Sequence, residues 1–335
     1  MKRKLNITTL VDKWTIPAND HDFSQRPKEP STEHHVIRTL RELGHNVSIL
    51  GLADDITIIV TKLSEQKPDI VFNLTEQLDG DRSMDMNIAS LLEMLKIPYT
   101  GSGPVGLMLS RDKRLCKELL TQHRIRVPEF VSIAQNQKVR MPKSLNYPLV
   151  VKPAFEDSSE GISNASLVSS ETALIERVKF VHDGWQQPVI VEEYIEGREF
   201  YVGVIGNKRL TALPIRECIF NSENPQGPQL ATYRVKWNRK YREKWNIRFD
   251  FAELETPIIK NIERICKRVY RLLRMRDYGR IDLRLTPDNK LVVLETNPNA
   301  DIAYGEDVAE AAEKAGITYE KLIDRIIHFA LSRHK

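Results

Sequence analysis

The sequence predicts an α/β fold: a Rossmann-like domain with a parallel sheet at the N-terminus, followed by a mixed α+β region in two parts. Three observations carry this. Short apolar stretches alternate with amphipathic ones over the first 95 residues, the rhythm of βαβ units. Strand-like stretches dominate 199–215 and 280–295, and a turn signal between two of them marks a hairpin. A length of 335 residues exceeds what one ordinary core serves, so two or three domains are expected.

Taken in order, residues 5–11 read as the first strand, and the polar, proline-bearing stretch 17–30 as a loop. Residues 31–44 read as a helix: Ser31 is a fitting N-cap, Val36, Leu40 and Leu43 share a face, and Gly44 is the stop. Strands are expected at 47–50 and 69–72 around a helix over 55–66. A helix over 85–95 presents Ile88, Leu91, Leu92 and Leu95 on one side. The turn-rich run from Pro98 to Pro104 closes an N-terminal domain, 1–104. A central part, 105–195, holds a helix over 112–123, strands at 128–133 and 147–152, a helix near 171–182 and a strand at 189–194. The C-terminal part, 196–335, holds strands at 199–205 and 210–215 and a polar, aromatic excursion over 221–247. A helix over 257–273 follows, then a hairpin of 280–285 and 291–295 turning at 287–289, and a closing helix over 319–332.

Composition narrows the function classes. Lys and Arg number 50 against 46 Asp and Glu, a net charge of +4. So small an excess does not argue for nucleic acid, though local clusters can serve phosphates. Cys116, Cys218 and Cys266 are widely spaced without a C-x-x-C, which fits idle thiols in a reducing cytosol. The basic start lacks the apolar core of a signal peptide, and no apolar run approaches the roughly 18 residues of a membrane span. A cytoplasmic address with no membrane partner is the expectation.

The sharpest chemical signal is the C-terminal hairpin. Alternation puts Arg280 and Asp282 on one face of its first strand, and Glu295 and Asn297 on one face of its second. If the strands pair, two carboxylates, an amide oxygen and an arginine converge, a hard-oxygen set suited to Mg²⁺. Alone, such a hairpin could equally be a solvated turn with ordinary charges. A second signal is Lys152, delivered by a strand into a loop holding Ser158, Ser159 and Gly161. Lysine is a mobile point charge for phosphate, and small residues offer backbone N–H groups and hydroxyls. A third is the run Val189 to Phe200, whose strand edge could bond an adenine while Glu199 accepts from ribose hydroxyls. Each of these, taken singly, reads as readily as surface charge.

Together, Lys113, the loop 152–161, the stretch 192–199 and the set Arg280, Asp282, Glu295 and Asn297 stand in the order and spacing of ATP-grasp enzymes. The chain resembles the D-alanine–D-alanine ligases among them over roughly residues 31–300. The run Ile97 to Gly103 followed by Asp112 and Lys113 is similar to that family's domain junction. The resemblance implies an ATP-grasp fold and ATP-dependent joining of a carboxylate to an amine through an acyl-phosphate. It implies that Lys113 and Lys152 hold phosphates and that Ser158 and Ser159 lie in a mobile covering loop. Glu192, Glu193 and Tyr194 would line the adenine, and Glu199 the ribose. Asp282, Glu295 and Asn297 would hold two Mg²⁺ ions, with Mn²⁺ as a substitute. Arg280 would stabilise an oxyanion, Lys236 would close over the γ-phosphate, and Glu33 would hold the first substrate's amino group. Amino acids or short peptides as substrates and a homodimer are also implied.

The chain departs from the family pattern where substrates sit. Pro27-Lys-Glu-Pro30 stands in place of a glycine-rich turn, and Leu74 to Asp81 in place of a His-Gly and Gly-Glu-Asp-Gly run. Trp237 stands for a tyrosine. Pro298-Asn-Ala-Asp-Ile-Ala-Tyr304 stands for a Pro-Gly-Met-Thr-like segment with a later serine. The resemblance thus implies ATP machinery beside a rewritten amino-acid pocket. Three alternatives stay open: a true D-alanine–D-alanine or D-alanine–D-lactate ligase, a homologue that binds ATP without reacting, and a simple kinase.

Overall fold

The computed structural model of the chain describes residues 3–25, 27–140, 143–157, 159–221, 227 and 229–334. It is an α/β fold of three sheets. The first region runs β1 (Asn6–Asp12), α1 (Thr32–Glu42), β2 (Asn46–Leu52), α2 (Thr57–Gln66), β3 (Ile70–Asn73) and α3 (Asp85–Met94). Its three strands are parallel in the order β2-β1-β3. Ser31 caps α1 as the sequence predicts, its hydroxyl accepting from the His34 N–H. Gly44, with φ 87°, ends the helix in the left-handed conformation that glycine adopts without strain.

Then come α4 (Pro104–Arg111), α5 (Lys113–Gln122), β4 (Phe130–Ile133), β5 (Leu149–Pro153), β6 (Leu167–Val168), α6 (Glu171–Trp185) and β7 (Val189–Glu193). The four strands form an antiparallel sheet in the order β4-β7-β5-β6. Sequence periodicity missed α4, whose start is a proline at the first helical position after the Gly101–Gly103 turn.

The last region holds β8 (Arg198–Gly206), β9 (Leu210–Ala212), β10 (Arg216–Ile219), α7 (Tyr233–Trp237), α8 (Arg239–Trp245), β11 (Arg248–Phe251), α9 (Thr256–Leu272), β12 (Tyr278–Leu285), β13 (Leu291–Pro298), α10 (Asp307–Lys314) and α11 (Tyr319–Arg333). Its sheet runs β11-β10-β8-β12-β13, with β9 also on β8. One face packs on α9, where Ile262, Cys266 and Val269 meet Phe200, Val202 and Ile281. The excursion at 221–247 includes α7 and α8, which the sequence left unassigned.

The two ends of the chain share a core. Val308, Ile323 and Ile327 of α10 and α11 pack with Ile7, Val36 and Phe72 of the first sheet. Asp277 pins this closure. Fully buried, it accepts from the Gly101 N–H at 2.8 Å, Asn207 Nδ2 at 2.9 Å and Arg333 Nη2 at 3.0 Å. Gly101 cannot carry a side chain, because a Cβ there would stand 2.5 Å from Asn299 Oδ1. Burial pushes the Asp277 carboxyl up to about 6 against the pull of Arg333. Its folded state therefore binds the proton more tightly than the unfolded chain. Stability from this group is fully present below about pH 4 and is lost as pH rises through 6. Relative to wild type, Asp277→Asn should gain about 3 kcal/mol between pH 4 and pH 7. Urea melts at the two pH values measure it, and a constant difference would contradict the assignment.

Candidate active site

The face of the third sheet turned away from α9 gathers the charged side chains. On β12, Ile281, Leu283 and Leu285 enter the apolar core, so alternation turns Arg280, Asp282 and Arg284 to the other face. On β13, Leu291 and Val293 lie in that same core, and uninterrupted alternation would bury Glu295 beside them. The register shifts instead: Leu283 pairs with Val293, but Asp282 pairs with Glu295. This β-bulge inserts Leu294 and reverses the strand's parity. Glu295 and Asn297 thereby stand directly opposite Asp282 and Arg280. From the other side, β8 sets Glu199 opposite Arg284 and Tyr201 opposite Asp282.

The second sheet supplies the facing wall. Leu149, Val151, Val189 and Val191 fill its own core, leaving Lys152 and Glu192 on the site side. These two form an ion pair, and Lys117 Nζ lies 2.9 Å from Glu192. Helix α5 is capped by Asp112, whose carboxylate accepts from the Leu115 N–H at 2.9 Å. Lys113 and Lys117, four residues apart, share its inner face, and Lys113 Nζ lies 3.3 Å from Glu295. Lys236 on α7 stands 3.8 Å from Asp282 and 5.7 Å over the Tyr201 ring.

Charges here hold one another. Burial opposes ionisation of Glu295, but Lys113, Lys236 and Lys152 outweigh it and hold the carboxyl down at about 2. Glu192 is likewise lowered: burial is outweighed by Lys117 and Lys152. Asp282 is pushed up by burial, although Arg280 grips both its oxygens at 2.7 and 3.0 Å. Glu199 accepts from Arg284 at 2.7 Å and from the Tyr201 hydroxyl at 2.7 Å.

Two cavities adjoin at this cluster. The smaller, about 60 Å³, is lined by Lys152, Ser159, Glu192, Glu193, Tyr194 and Glu199 among others. The larger, about 260 Å³, takes in Lys113, Arg280, Asn297, Glu76, Asp301 and Glu306. Lys236 and Glu295 line both. The smaller cavity is covered by the chain itself. Ser159 Oγ donates to Ala231 O at 2.8 Å, and the Tyr194 hydroxyl to Gln229 O at 3.2 Å. Ser158 lies outside the described residues.

One expectation needs correction. No strand edge is offered at 189–194, because β7 is interior, with β4 on one side and β5 on the other. The Glu193 N–H donates to Glu129 O at 2.9 Å and the Tyr194 N–H to Pro148 O at 3.1 Å. Glu33 also lies apart from the main cluster, on the first turn of α1 beside Glu76 and Asp12.

The oxygen set fits Mg²⁺. Asp282, Glu295 and Asn297 share a face on paired strands, and Asn297 Nδ2 is buried without a hydrogen-bond partner, so nothing fixes that amide against a metal. Among the described residues no three His, Cys, Asp or Glu side chains gather as a metal cage. Mg²⁺ needs none where phosphate oxygens and water complete its shell.

Comparison with known proteins now decides the family. A model of the D-ala D-ala ligase C-terminus matches residues 119–328, well over half of the chain. The chain belongs to the D-ala D-ala ligase family. An uncharacterized protein of Sinorhizobium fredii, y4sG, is 31% identical over 89% of this chain and 87% of its own. The D-alanine–D-alanine ligase of Aquifex aeolicus is 29% identical over 91% of this chain and 96% of its own. The D-alanine–D-alanine ligase of Bacillus anthracis, solved in complex with ATP, superposes with a TM-score of 0.76 over 98% of both chains at 20% identity. The ATP-grasp fold expected from the sequence is therefore the fold observed.

Within this D-ala D-ala ligase frame, four site residues escape motif reading: Lys117, Tyr201, Arg284 and Asp307. The first three were signalled. Lys117 lies one helical turn past Lys113, and Tyr201 and Arg284 lie two residues past Glu199 and Asp282, on the same strand faces. Asp307, 3.5 Å from both Arg280 and Arg216, gave no local signal.

Proposed function

We propose that the chain is an ATP-dependent ligase that joins a carboxylate to an amine through an acyl-phosphate, releasing ADP and phosphate. The observation that carries this is the junction of the two cavities at Lys236 and Glu295. A terminal phosphate held from the smaller side meets a carboxylate held in the larger one there.

Lys113 and Lys152 would hold phosphate oxygens on the second-sheet side. Ser159 with its loop would cover them, and the 229–233 segment latched to it would exclude water, which an acyl-phosphate requires. Glu192, Glu193 and Tyr194 would line the base and Glu199 the ribose. Asp282, Glu295 and Asn297 would hold Mg²⁺, which when bound neutralises charge on the transferred phosphoryl group. The substrate carboxylate attacks the γ-phosphorus in line, a step that needs alignment and charge more than covalent help. Lys236 would balance the charge that develops at the junction. An amine then attacks the acyl carbon, and the tetrahedral oxyanion faces Arg280, whose guanidinium is fixed by Asp282 and Asp307. Glu33 would hold an amino group of the first substrate. The setting we propose is a cytoplasmic homodimer acting on small molecules. Among the described residues no helix is long and apolar enough to cross a membrane.

The test is ADP release from ATP and Mg²⁺ across pairs of L- and D-amino acids and amines, with mass analysis of products. The expected product has the mass of both substrates less one water, with ADP and phosphate in equal amounts. A stable phosphorylated product would mean a kinase, and no ADP release with any pair would mean a binding homologue. A second reading, D-alanine itself as substrate, is favoured by the names of the relatives. ADP release with D-alanine alone would establish it.

A further inference from the structure

The larger cavity and the wall behind it hold more negative charge than the nearby cations neutralise. Asp12, Glu33, Asp301 and Glu306 form no ion pair with any described residue. Glu76 stands into the cavity, its side chain 62% exposed, and shares Arg82 with Asp157 and Glu160. Most of the other cations are paired with carboxylates. Arg111 is held by Asp85 and Asp157, Arg216 by Asp307, and Arg280 by Asp282 and Asp307. Lys113 faces Glu295 and Lys236 faces Asp282. Arg242 donates to the Val235 and Lys236 carbonyls, and its charge, with that of Arg280, is felt by Glu306. His34, beside Glu33, is pushed below its usual range by burial.

These carboxylates feel one another. Burial, then Glu76 and Glu33, pushes Asp12 up to about 7. Desolvation in the cavity, then Asp157 against the pull of Arg82, with Asp301 and Glu33 adding, raises the Glu76 carboxyl. Burial, then Asp301 and Asp307, pushes Glu306 up to about 7.

A second, independent observation points to a ligand. Glu33 is only 9% exposed, yet no described group donates a hydrogen bond to it. Asp12 Oδ1 is buried with no partner. A buried carboxylate left unpaired is strongly unfavourable unless something else supplies the cation. Asp301 is meanwhile aimed: Thr32 Oγ1 at 2.8 Å and the Ala303 N–H at 2.7 Å both donate to its Oδ1, leaving Oδ2 to the cavity. Glu76, Asp301 and Glu306 line the cavity, Asp12 and Glu33 lie outside its lining within electrostatic reach of Glu76, and no three of them gather as a metal site among the described residues.

We infer that a substrate of this cavity carries two separated cationic groups: a basic amino acid with an ammonium or guanidinium side chain, or a diamine. One ammonium group meets Glu76, whose charge Glu33 reinforces, and the second meets Asp301 and Glu306. This rests on the ligase reading for its chemistry and on the charge of the cavity for its specificity.

Calorimetric titration of the full chain with lysine, ornithine, arginine and putrescine, against norleucine and glutamate, tests it. Lysine should bind at least about tenfold more tightly than norleucine, which matches its length without the second charge. Asp301→Asn, which keeps the Thr32 and Ala303 contacts, and Glu306→Gln should each reduce that ratio by at least about threefold. Putrescine binding as well as lysine identifies a diamine site, and lysine binding better identifies an amino-acid site. Equal binding of lysine and norleucine, or a ratio unmoved in both variants, overturns the proposal. ADP release with the same ligands separates the two readings. Preference for lysine without ADP release from any pair defeats the ligase reading alone. ADP release as fast with neutral as with basic amino acids defeats this inference alone.

Discussion

Replacing Glu295 with alanine should lower the rate of ATP-dependent ADP release by about 10³-fold while leaving the fold intact. The size follows from position. Glu295 lines both cavities, stands opposite Asp282 on the paired strand, and lies 3.3 Å from Lys113. Lysines 113, 236 and 152 hold it ionised down to about 2, so it is a carboxylate at any working pH and a ready hard ligand. Removing it would take away a carboxylate that would hold Mg²⁺ and would leave three lysines without their common counter-ion. The fold should survive because Glu295 projects from the site face, while the core face of β13 is made by Leu291 and Val293. ADP release, a urea melt and the Mg²⁺ concentration giving half-maximal rate are the measurements. Glu295→Gln should raise that Mg²⁺ requirement as well. Near wild-type turnover in either variant would remove Glu295 from the metal site and with it the main support for the mechanism.

The second large effect is expected at Lys236. Lys236→Ala should slow turnover by about 10²-fold and change ATP affinity by less than about threefold. Lys236 sits on the short helix α7, anchored by Val235, which is fully buried against Tyr201 and Ile247. Its ammonium reaches the junction of the cavities, where the proposed transfer would build up charge, and not the wall where Lys152 and Lys117 engage Glu192. An interaction gained mainly in the transition state lowers kcat and leaves ground-state binding alone. Equilibrium binding of ATP together with single-turnover rates separates the two. A large loss of affinity with an unchanged rate would make Lys236 an ordinary binding residue.

Much of the site was legible because strands and helices repeat. Arg280 with Asp282, and Glu295 with Asn297, are read as face-sharing pairs from a period of two, and the hairpin turn at 287–289 says that the strands meet. Asn289 takes the left-handed conformation there, φ 58°, as an asparagine in a tight turn does. Glu295 does face Asp282, but not for the reason a period of two supplies. Counting from Leu291 and Val293 puts it in the core, and only the bulge at Leu294 returns it to the site. Nothing in the local sequence states where a partner strand slips by one residue. The strand at 189–194 failed in the opposite way. Its apolar run was plain, but whether it is an edge depends on β4, some 60 residues earlier in the chain.

What the sequence determined by itself is the local order of elements, the caps and turns that bound them, and the sequential order of residue types suited to phosphate and magnesium. Those features rest on interactions between near neighbours along the chain: helical and strand periodicity, side-chain capping, turn conformation. The tertiary structure alone decided how they combine. It set the parity of β13, the interior place of β7 and the return of α10 and α11 to the first sheet. It also gathered Asp12, Glu33, Glu76, Asp301 and Glu306 from opposite ends of the chain. Their charges act through space and not along the sequence, so a carboxylate's partner and its proton affinity exist only once distant segments are packed together.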